Sequence, residues 1–433
     1  MVCSYDVTRR RLFALQRFGI KLGLETVCAL LSDWGNPQRR FPALHVAGTN
    51  GKGSVAAMLA SILQAAGVRV GLYTSPHLLE FRERIQVQGM TIPEDRVVDL
   101  FARLQALPAC AASPTFFEAT TVMAFQYFAE ERIDLAVIEV GMGGRFDATN
   151  VCRAIGTVIT NVSFDHERYL GSTLPAIAFE KAGIMKQHVP VVIGPVAPSL
   201  EHVFQDHARR MQAPMRVFGR EFLVVAHDAG TFDFLGMNGN YLHLRCALEG
   251  QHQLVNAGCA LAVLESGVMP QIAISESAIR QGLEHVSWPG RLERLGTRPL
   301  MLCDGAHNPA AAACLKVSLQ RILSEHDGCR LILVVGMMQD KNHAGFLGTL
   351  VPLADVVILT QFDVPRSASV EVLKRALPAM DALLYERNSP QAAMALATGL
   401  GGKHDLVCVT GSLFLIGHVK SLLAGTNYEP VVG

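Results

Sequence analysis

A glycine-rich stretch with a single lysine, residues 45–54, offers the clearest chemistry in the sequence. It has the sequence His-Val-Ala-Gly-Thr-Asn-Gly-Lys-Gly-Ser and lies between a short apolar run, Ala43–Val46, and a segment with helical spacing of apolar residues. Glycines let backbone N–H groups approach an anion at a helix start, and Lys52 adds a positive charge for terminal phosphates. Val46 replaces the first glycine of the usual phosphate-loop pattern, and Gly53 separates the lysine from the serine. The stretch therefore predicts a nucleotide phosphate-binding loop of an unusual type.

Polar side chains also stand at or after the ends of later apolar runs. Glu139 ends the run that begins at Leu135, where a carboxylate is costly to bury unless a cation or a hydrogen-bond donor partners it. Ser75 lies in a Ser-Pro turn, where a capping role is the simpler interpretation. His166, taken alone, is more typical of a structural hydrogen bond than of a magnesium ligand. Because ligands bind at the carboxyl ends of strands in open α/β sheets, these positions are candidates for one site.

The elements that must position these residues alternate between buried strands and helices. A helical lead-in is expected from about Tyr5 to Leu31, and a helix follows the phosphate loop until Gly67 ends it. Short, alternating, glycine-punctuated segments between about Val217 and Leu248 predict antiparallel hairpins, which we take as an appendage of the first domain. Parallel strands are predicted at Ala43–Val46, Val68–Tyr73, Ile133–Val140, Ile155–Thr160 and Val189–Ile193.

A second domain follows a break in the pattern at Ser287-Trp-Pro-Gly-Arg291. From about Leu295 onward, strand and helix patterns alternate regularly, as they do in a doubly wound sheet. We therefore predict an α/β protein with two domains. Residues 1–290 form a mostly parallel P-loop ATPase domain with the small antiparallel appendage, and residues 291–433 form a smaller Rossmann-like α/β domain.

Composition narrows the class of partner. The 433-residue chain carries 38 basic and 38 acidic side chains, so its formal net charge is zero and neither a nucleic acid nor an acidic polymer is favoured. No apolar run reaches the roughly 18 residues of a membrane span. The ten cysteines form no C-x-x-C pair, and Cys28, Cys259 and Cys408 stand in apolar runs, as reduced core cysteines do. These features predict a cytoplasmic protein that acts on small molecules, with no membrane partner and a monomer as the default.

Eight motifs occur along the chain in a characteristic order. They are Gly48-Thr-Asn-Gly-Lys-Gly-Ser, Tyr73-Thr-Ser-Pro-His-Leu, Thr115-Phe-Phe-Glu-Ala-Thr, Glu139-Val-Gly-Met-Gly-Gly-Arg-Phe-Asp-Ala-Thr-Asn150, Asp165-His166, Glu180-Lys-Ala-Gly-Ile184, Pro289-Gly-Arg291 and Asp304-Gly-Ala-His-Asn-Pro309. Together they resemble the motifs of folylpolyglutamate synthases, which in bacteria are commonly also dihydrofolate synthases, within the Mur ligase superfamily. The resemblance covers nearly the whole chain, and it explains the unusual loop because that superfamily uses Gly-Thr-Asn-Gly-Lys.

The resemblance implies an ATP-dependent amide ligase. ATP phosphorylates a substrate carboxylate, and the amino group of L-glutamate then attacks the acyl phosphate, with release of ADP and phosphate. Dihydropteroate would become dihydrofolate in this way, and reduced folates would become folylpolyglutamates. The implied ATP-binding residues are Thr49, Asn50, Gly51, Lys52, Gly53, Ser54, Asn256, Arg291 and Asp304.

Two Mg²⁺ sites are implied as well, with Ser75, Glu139 and His166 as the ligands. Oxygen donors suit this hard ion. Lys181 matches a lysine that is carbamylated in related enzymes, a change that would turn a cation into an oxygen ligand or an orienting anion near the metals. Lys52, Lys181 and His166 are therefore the expected catalytic residues.

The segment Thr115–Glu118 is the candidate for substrate selection. Its two aromatic rings are suited to stacking on a flat heterocycle, and its carboxylate could accept hydrogen bonds from amino groups of a pterin. The threonine and glutamate, three residues apart, equally predict a capping box at a helix start, and both roles are compatible. The resemblance assigns to dihydropteroate binding Thr115, Phe116, Phe117, Glu118, Phe146, Asp147 and Ala148.

Three alternatives stay open. The chain could have folylpolyglutamate synthase activity alone. It could be another Mur-type ligase that joins an amino acid to a UDP-sugar peptide, although such an enzyme has no reason for the Thr115-Phe-Phe-Glu and Ser75-Pro-His motifs. A non-catalytic nucleotide-binding regulator would be expected to have lost metal ligands, whereas Ser75, Glu139 and His166 are all present.

Overall fold

The computed structural model describes residues 4–430 except 20, 22, 228–229, 268–271, 298 and 327. The chain divides into two compact units. The first comprises the chain up to His77, Phe81–Ala247 and Gln253–Ser287, and the second comprises Leu78–Glu80, Leu248–His252 and the chain from Trp288 onward. The predicted domain boundary, after residue 290, lies in the turn that follows Ser287, where the first unit ends. The two short segments that join the second unit from earlier in the chain have no counterpart in the sequence prediction.

An eight-stranded sheet is the centre of the first unit. Its strands are β1 (Ala43–Ala47), β2 (Val70–Tyr73), β3 (Ile85–Val87), β4 (Met90–Thr91), β5 (Leu135–Glu139), β6 (Ala154–Ile159), β7 (Val191–Ile193) and β8 (Met215–Val217). The spatial order is β4-β3-β2-β5-β1-β6-β7-β8, and all pairs from β2 to β8 are parallel. The mostly parallel sheet is thus confirmed, and the short antiparallel edge of β3 and β4 is an addition to the prediction.

The described residues of the first unit contain ten α-helices, the ninth of which begins at the border with the second unit. They are α1 (Tyr5–Phe13), α2 (Glu25–Asp33), α3 (Lys52–Ala65), α4 (Glu94–Gln105), α5 (Phe116–Glu130), α6 (Glu167–Leu170), α7 (Leu174–Ala182), α8 (Glu201–Met211), α9 (Gln251–Leu264) and α10 (Glu276–His285). Helix α3 packs on β1, β2 and β5, and also on α10. The last contact is close because a Cβ at Gly282 would overlap the main chain of Ile62. The Ser61 hydroxyl donates to the Gly282 carbonyl at 2.7 Å.

Two details of the first unit differ from the sequence predictions. The lead-in is two helices rather than one, because Gly19 and Gly23 take φ values of 63° and 141°, outside the right-handed helical region. Cys28 is exposed, whereas Cys259 and Cys408 are buried as predicted. Helix α2 buries Val27 and Leu30 and directs the cysteine toward solvent, so placing Cys28 in the core was wrong.

The appendage is a separate three-stranded antiparallel sheet, as predicted. Its strands are β9 (Leu223–Ala226), β10 (Thr231–Leu235) and β11 (Asn240–Arg245), in the order β11-β10-β9. One face is apolar, since Phe232, Phe234 and Leu244 are fully buried. A Cβ at Gly258 of α9 would overlap Val224, so this face packs closely on that helix. The other face carries partly exposed side chains, both polar, such as Asp233, and apolar, such as Leu223 and Val225.

The second unit is a doubly wound α/β sheet of six strands. They are β12 (Glu293–Thr297), β13 (Leu300–Asp304), β14 (Leu331–Val335), β15 (Val356–Thr360), β16 (Leu383–Arg387) and β17 (Leu406–Thr410), in the order β12-β13-β17-β14-β15-β16. Its helices are α11 (Pro309–Ser324), α12 (His343–Leu350), α13 (Val370–Arg375), α14 (Pro390–Leu400) and α15 (Leu413–Ala424). One apolar cluster joins the sheet to α11, α12 and α13, and another joins it to α14 and α15. The Rossmann-like prediction is confirmed, with an antiparallel edge strand, β12, that its polar sequence did not indicate.

Candidate active site

The predicted phosphate loop lies between β1 and α3, at the carboxyl end of a central strand. Gly48 and Gly51 have φ values of 147° and 82°, a region that side chains other than glycine rarely adopt. A Cβ at Gly48 would overlap the Thr160 hydroxyl, and one at Gly51 would lie 2.5 Å from Oδ1 of Asn256. Asn256, predicted to bind ATP, is buried against the loop. Both glycines are therefore required by backbone conformation and by close packing.

The segment after β6 holds the loop in place. Asn161 receives a hydrogen bond from the Asn50 N–H at 3.0 Å and donates to the Asn50 carbonyl at 2.9 Å. The Thr160 hydroxyl donates to the same carbonyl at 2.6 Å. The Thr49 N–H donates to the Asn161 carbonyl at 3.1 Å, and the Ser163 N–H donates to the Thr49 hydroxyl at 3.0 Å. The amides of Thr49 and Asn50 are thus hydrogen-bonded within the protein, and the ATP contacts of the loop residues stay predictions.

The sequence alone did not predict this clamp, which consists of the contacts of Thr160, Asn161 and Ser163 with the phosphate loop. The only signal was a polar run, Thr160-Asn-Val-Ser, directly after a buried strand. Polar runs of this kind occur in many loops. This one indicates a function only when the segment that it contacts in the folded protein is known. The pairing of β1 with β6 supplies that partner, because it brings the ends of both strands to the same edge of the sheet.

Two lysines converge on one carbonyl of the loop. Nζ of Lys52 donates to the carbonyls of Gly48 and Thr49 at 3.2 and 3.1 Å, and Nζ of Lys181 donates to the Gly48 carbonyl at 2.8 Å. Lys181 is 2% exposed. Burial lowers its pKa to about 7, and the charge of Lys52 acts in the same direction, while Asp165 opposes both. Two amino groups thus lie beside one loop carbonyl, and the lowered pKa leaves Lys181 partly neutral near pH 7.

The lowered pKa of Lys181 predicts a specific pH dependence of stability. Between its folded pKa of about 7 and its ordinary value of 10.5, the unfolded chain holds a proton that the folded protein does not. Stability therefore rises with pH across this window, by on the order of 1 kcal/mol per pH unit. Lys181→Met lacks this titratable group, so its unfolding free energy, measured with urea, should not show the rise between about pH 7 and 10.5. The exposed Lys403→Met should show the same rise as the wild type. A rise in Lys181→Met equal to that of the wild type within this window would contradict the assignment.

Glu139 and Ser75 are brought together at the ends of neighbouring strands. Strand β5, which ends at Glu139, lies between β1 and β2. The carboxylate is 5% exposed, and its Oε2 accepts a hydrogen bond from the Ser75 N–H at 3.0 Å. His166 follows β6 and has a φ of 51°, with Nε2 at 4.0 Å from Oδ1 of Asp165 and 40% of its side chain exposed. The described contacts thus join Ser75 to Glu139 directly and give His166 an acidic neighbour.

The segment Thr115–Glu118 forms the predicted capping box of α5. The Thr115 hydroxyl accepts from the Glu118 N–H at 3.2 Å, and Oε2 of Glu118 accepts from the Thr115 N–H at 2.8 Å. The two aromatic side chains differ in environment. Phe116 is buried against Phe81 and lies under the Arg84 guanidinium at 5.0 Å. Phe117 is only partly buried, so of the two rings it is the one placed to meet a ligand.

The loop after β5 is held by Asp147. Its Oδ2 accepts from the Met142 N–H at 2.9 Å, and its Oδ1 accepts from the Thr149 N–H at 3.0 Å and from the Thr149 hydroxyl. Burial raises the pKa of this carboxyl. Ala148 is buried, while Phe146 is 37% exposed, with the Arg145 guanidinium 4.2 Å from its ring centre. Phe146 therefore presents a ring to solvent beside a tightly fixed turn.

A buried histidine connects this turn to the strand before the phosphate loop. Nε2 of His45, in β1, lies 2.9 Å from the Thr149 hydroxyl, which in turn donates to Asp147. Because that hydroxyl proton goes to the carboxylate, Nε2 of His45 is the donor in this pair. Burial lowers the pKa of His45 to about 3, so the imidazole is neutral. One hydrogen-bond chain thus links the loop that contains Asp147 to the strand that leads into the phosphate loop.

Removal of the Thr149 hydroxyl tests this chain. Thr149→Val keeps the shape of the side chain but leaves a buried imidazole N–H without its acceptor, so we expect a loss of about 1–3 kcal/mol in unfolding free energy. Urea unfolding monitored by tryptophan fluorescence and circular dichroism measures it. Ser266→Ala is the control, because that hydroxyl donates only to the Ala262 carbonyl one helical turn earlier. Equal losses in the two variants would contradict a special role for the chain.

Two further predicted ATP-binding residues, Arg291 and Asp304, lie in the second unit. The Asp304 carboxylate accepts from the Ala306 N–H and the Leu292 N–H, both at 2.9 Å. A Cβ at Gly305 would overlap the Arg291 guanidinium, so this arginine packs on the same turn. Asn308 caps α11 through the Ala311 N–H at 2.9 Å, as its sequence indicated. Asp304 therefore fixes the turn that carries Arg291, and the ATP contacts of both residues stay predictions.

A parallel α/β sheet with this phosphate loop, followed by a second α/β unit, defines a ligase of the Mur type. Residues 46–264 match the Mur ligase middle domain, and residues 290–413 match the Mur ligase glutamate ligase domain. The chain belongs to the dihydrofolate synthase/folylpolyglutamate synthase family of this superfamily. It is accordingly an ATP-dependent ligase, which removes the non-catalytic regulator from the alternatives.

Similarity to individual proteins extends over the full chain. The dihydrofolate synthase/folylpolyglutamate synthase of Bacillus subtilis is 34% identical, over 98% of this chain and 100% of that protein. The structure of Escherichia coli FolC in complex with DHPP and ADP has a TM-score of 0.89 at 32% identity and covers 98% of both chains. The bifunctional enzyme from Yersinia pestis, complexed with AMPPNP and Mn ion, has a TM-score of 0.88 at 31% identity, again with 98% of both chains covered. Among the described residues, the structure contains no helix with the length and apolar character needed to cross a membrane.

Proposed function

We propose that this ligase adds L-glutamate to dihydropteroate, forming dihydrofolate, and to reduced folates, forming folylpolyglutamates. The observation that carries the proposal is the full-length likeness to an enzyme structure that holds DHPP and ADP. The site agrees with the chemistry, because a phosphate loop with two converging lysines lies at the same sheet edge as a buried carboxylate. The regions that would recognise the pterin, around Phe117 and Phe146, follow from the same resemblance.

The reaction proceeds in two steps. A carboxylate oxygen of the pteroate or folate attacks the γ-phosphorus of ATP, the bond to the β-γ bridging oxygen breaks, and ADP leaves. The amino nitrogen of glutamate then attacks the acyl carbon, phosphate leaves, and the nitrogen loses a proton as the amide forms. Little covalent chemistry is needed from the protein, so catalysis consists mainly of alignment and charge stabilisation.

The chain's own residues supply that stabilisation. Lys52 is placed to exchange its two carbonyl contacts for the terminal phosphates, and Nζ of Lys181 donates to the Gly48 carbonyl of the same loop. The clamp from Asn161 and Ser163 keeps the loop in its anion-binding form before ATP arrives. Such preorganisation matters because no free energy is then spent on arranging the loop during the reaction.

Glu139, Ser75 and His166 are the residues that would hold Mg²⁺. The buried carboxylate of Glu139 and the serine hydroxyl are hard oxygen donors, which Mg²⁺ prefers. The histidine is a less usual ligand for this ion. When bound, the ion supplies charge neutralisation for the phosphates. The Ser75 N–H fixes Oε2 of Glu139, which orients the carboxylate before any ion binds.

We further propose that Lys181 is carbamylated. A neutral amine is the form that attacks CO₂, and a pKa lowered to about 7 makes this form abundant near neutrality. The nitrogen bonds to the carbon of CO₂ and releases one proton, which leaves a carbamate. ¹³C NMR of protein equilibrated with ¹³CO₂ should show one carbamate signal that is missing in Lys181→Arg. A wild-type spectrum without the signal, or an intact mass without the added group, would contradict the proposal.

ADP release with different acceptors tests the function. We expect glutamate-dependent ADP release with dihydropteroate and also with tetrahydrofolate. Activity with tetrahydrofolate alone would favour the folylpolyglutamate synthase alternative. Release only with a UDP-sugar peptide would instead favour another Mur-type ligase.

We propose a cytoplasmic location and a monomeric state. The described cysteines are all free thiols, and burial raises the pKa of several, to about 12 for Cys152 and Cys259, so these thiols stay protonated and unreactive. Free, buried cysteines without disulfides are typical of proteins in a reducing compartment. Light scattering after size-exclusion chromatography tests the monomer, which has an expected mass of 46.9 kDa.

A further inference from the structure

Three side chains from the three strands of the small antiparallel sheet meet on its outer face. Nε2 of His227, just after β9, lies 2.9 Å from Oδ2 of Asp233 in β10. The ring of His243 in β11 lies 5.7 Å from the His227 ring, centre to centre. One nitrogen from each histidine and one carboxylate oxygen lie within 4.8 Å of one another. We propose that these residues form a binding site for a divalent transition-metal ion, separate from the residues expected at the active site.

The pleat of the sheet explains why the three side chains share a face. Phe232 and Phe234 point into the protein, so Asp233 between them points outward. The pairing of β10 with β11 shifts register between Phe232 and Phe234, which marks a bulge opposite Asp233. His243 occupies that bulge with a φ of 53°. Leu244, which follows His243 and pairs with Phe232, is buried, so His243 lies on the outer face opposite Asp233. The bulge adds Leu242 to the same strand, so that two residues of β11 oppose Asp233.

The donor set fits a borderline ion. Two imidazoles and one carboxylate suit Zn²⁺, Co²⁺ or Ni²⁺, and a site with three protein ligands leaves positions for water. Bonds of about 2.1 Å bring ligand atoms to roughly 3–3.5 Å from one another, so His227 and Asp233 are nearly in place. The exposed ring of His243 has only to rotate inward. The His243 N–H donates to Oδ1 of Asp233 at 2.7 Å, which leaves Oδ2 aimed at the site.

A surface ion pair between His227 and Asp233 is the simpler interpretation. It accounts for two of the three residues and contributes about 1 kcal/mol or less. It does not account for a second histidine at a left-handed bulge position, where glycine is the favoured residue. The buried side chains of Phe232, Phe234 and Leu244 on the inner face also anchor the strands that carry the three residues, as metal sites require.

Binding at this site would join all three strands of the appendage. An ion that binds the folded sheet but not the unfolded chain raises the unfolding temperature by mass action. The appendage packs on α9, whose Asn256 lies against the phosphate loop, so the joined sheet would also support that helix.

The test is a Zn²⁺ titration by calorimetry with excess Mg²⁺ present, repeated with Co²⁺ to record its visible absorption. We expect the wild type to bind one more equivalent than His243→Asn, with at least about tenfold weaker affinity at this site in His227→Ala and Asp233→Asn. Asparagine at position 243 tolerates the left-handed backbone, so the bulge is kept. The exposed His202→Ala is the matched control and should bind as the wild type does. ADP release with Mg²⁺ should be unchanged in His243→Asn.

Three outcomes would overturn the proposal. They are equal Zn²⁺ stoichiometry in wild type and His243→Asn, loss of the signal in His166→Ala instead, and a Zn²⁺-induced rise in unfolding temperature that persists in His243→Asn. A Co²⁺ spectrum without nitrogen ligation would have the same consequence.

Discussion

Replacement of Lys52 by alanine is expected to leave the protein folded while glutamate-dependent ADP release falls by at least about 10²–10³-fold. Nζ of Lys52 donates to the loop carbonyls of Gly48 and Thr49 at 3.2 and 3.1 Å. Alanine keeps the glycine-dependent conformation of the loop and removes the positive charge that Lys52 would offer to the terminal phosphates. The measurement is ADP release with dihydropteroate and glutamate, together with thermal unfolding.

The control for this variant is the exposed Lys403→Ala in the second unit. It removes an equal charge and should keep wild-type turnover. Near-normal turnover in Lys52→Ala would contradict the assignment of the loop. A large fall in the unfolding temperature would show instead that Lys52 has a structural role. Lys52→Met, which keeps the aliphatic part of the side chain, would distinguish lost packing from lost charge.

Glu139→Gln is expected to lower turnover by roughly 10²–10³-fold, equivalent to several kcal/mol of transition-state stabilisation. The amide has the same shape and can still accept from the Ser75 N–H, so the turn should persist. It lacks the negative charge that would hold a divalent ion. We therefore expect an increased Mg²⁺ requirement, with part of the activity restored at high Mg²⁺ concentration.

The exposed Glu284→Gln removes the same charge from helix α10 and serves as the matched control. Its Mg²⁺ dependence should equal that of the wild type. If Glu139→Gln lost activity without any change in Mg²⁺ dependence, the carboxylate would be a positioning group for Ser75 and not a metal ligand.

The phosphate loop shows how sequence and structure divide the explanation. Its glycine spacing, the lysine and the following helix predicted an anion site, and the positive φ values at Gly48 and Gly51 are consistent with that prediction. The structure adds that the Thr49 and Asn50 amides are already engaged by the segment at Asn161. Those contacts span more than a hundred residues of sequence, so no local pattern could predict them.

The sequence by itself determined the elements and their local ends. Apolar runs predicted the buried strands, and Thr115 with Glu118, like Asn308 before a proline, predicted helix starts, because these signals act over three or four residues. The family motifs likewise identified the class of enzyme. Only the tertiary structure decided which strand lies beside which, and this order placed Glu139 next to Ser75 and Thr160 against Gly48.

The same distinction holds for charge and for the appendage. The pKa of Lys181 depends on burial and on Lys52, which are properties of packing and not of its own sequence neighbours. Likewise, His227, Asp233 and His243 lie apart in the chain and meet because their three strands pair in one antiparallel sheet. Local sequence determines which conformations each segment favours, whereas the electrostatics and ligand geometry of a site depend on contacts between distant segments, which exist only once the chain has folded.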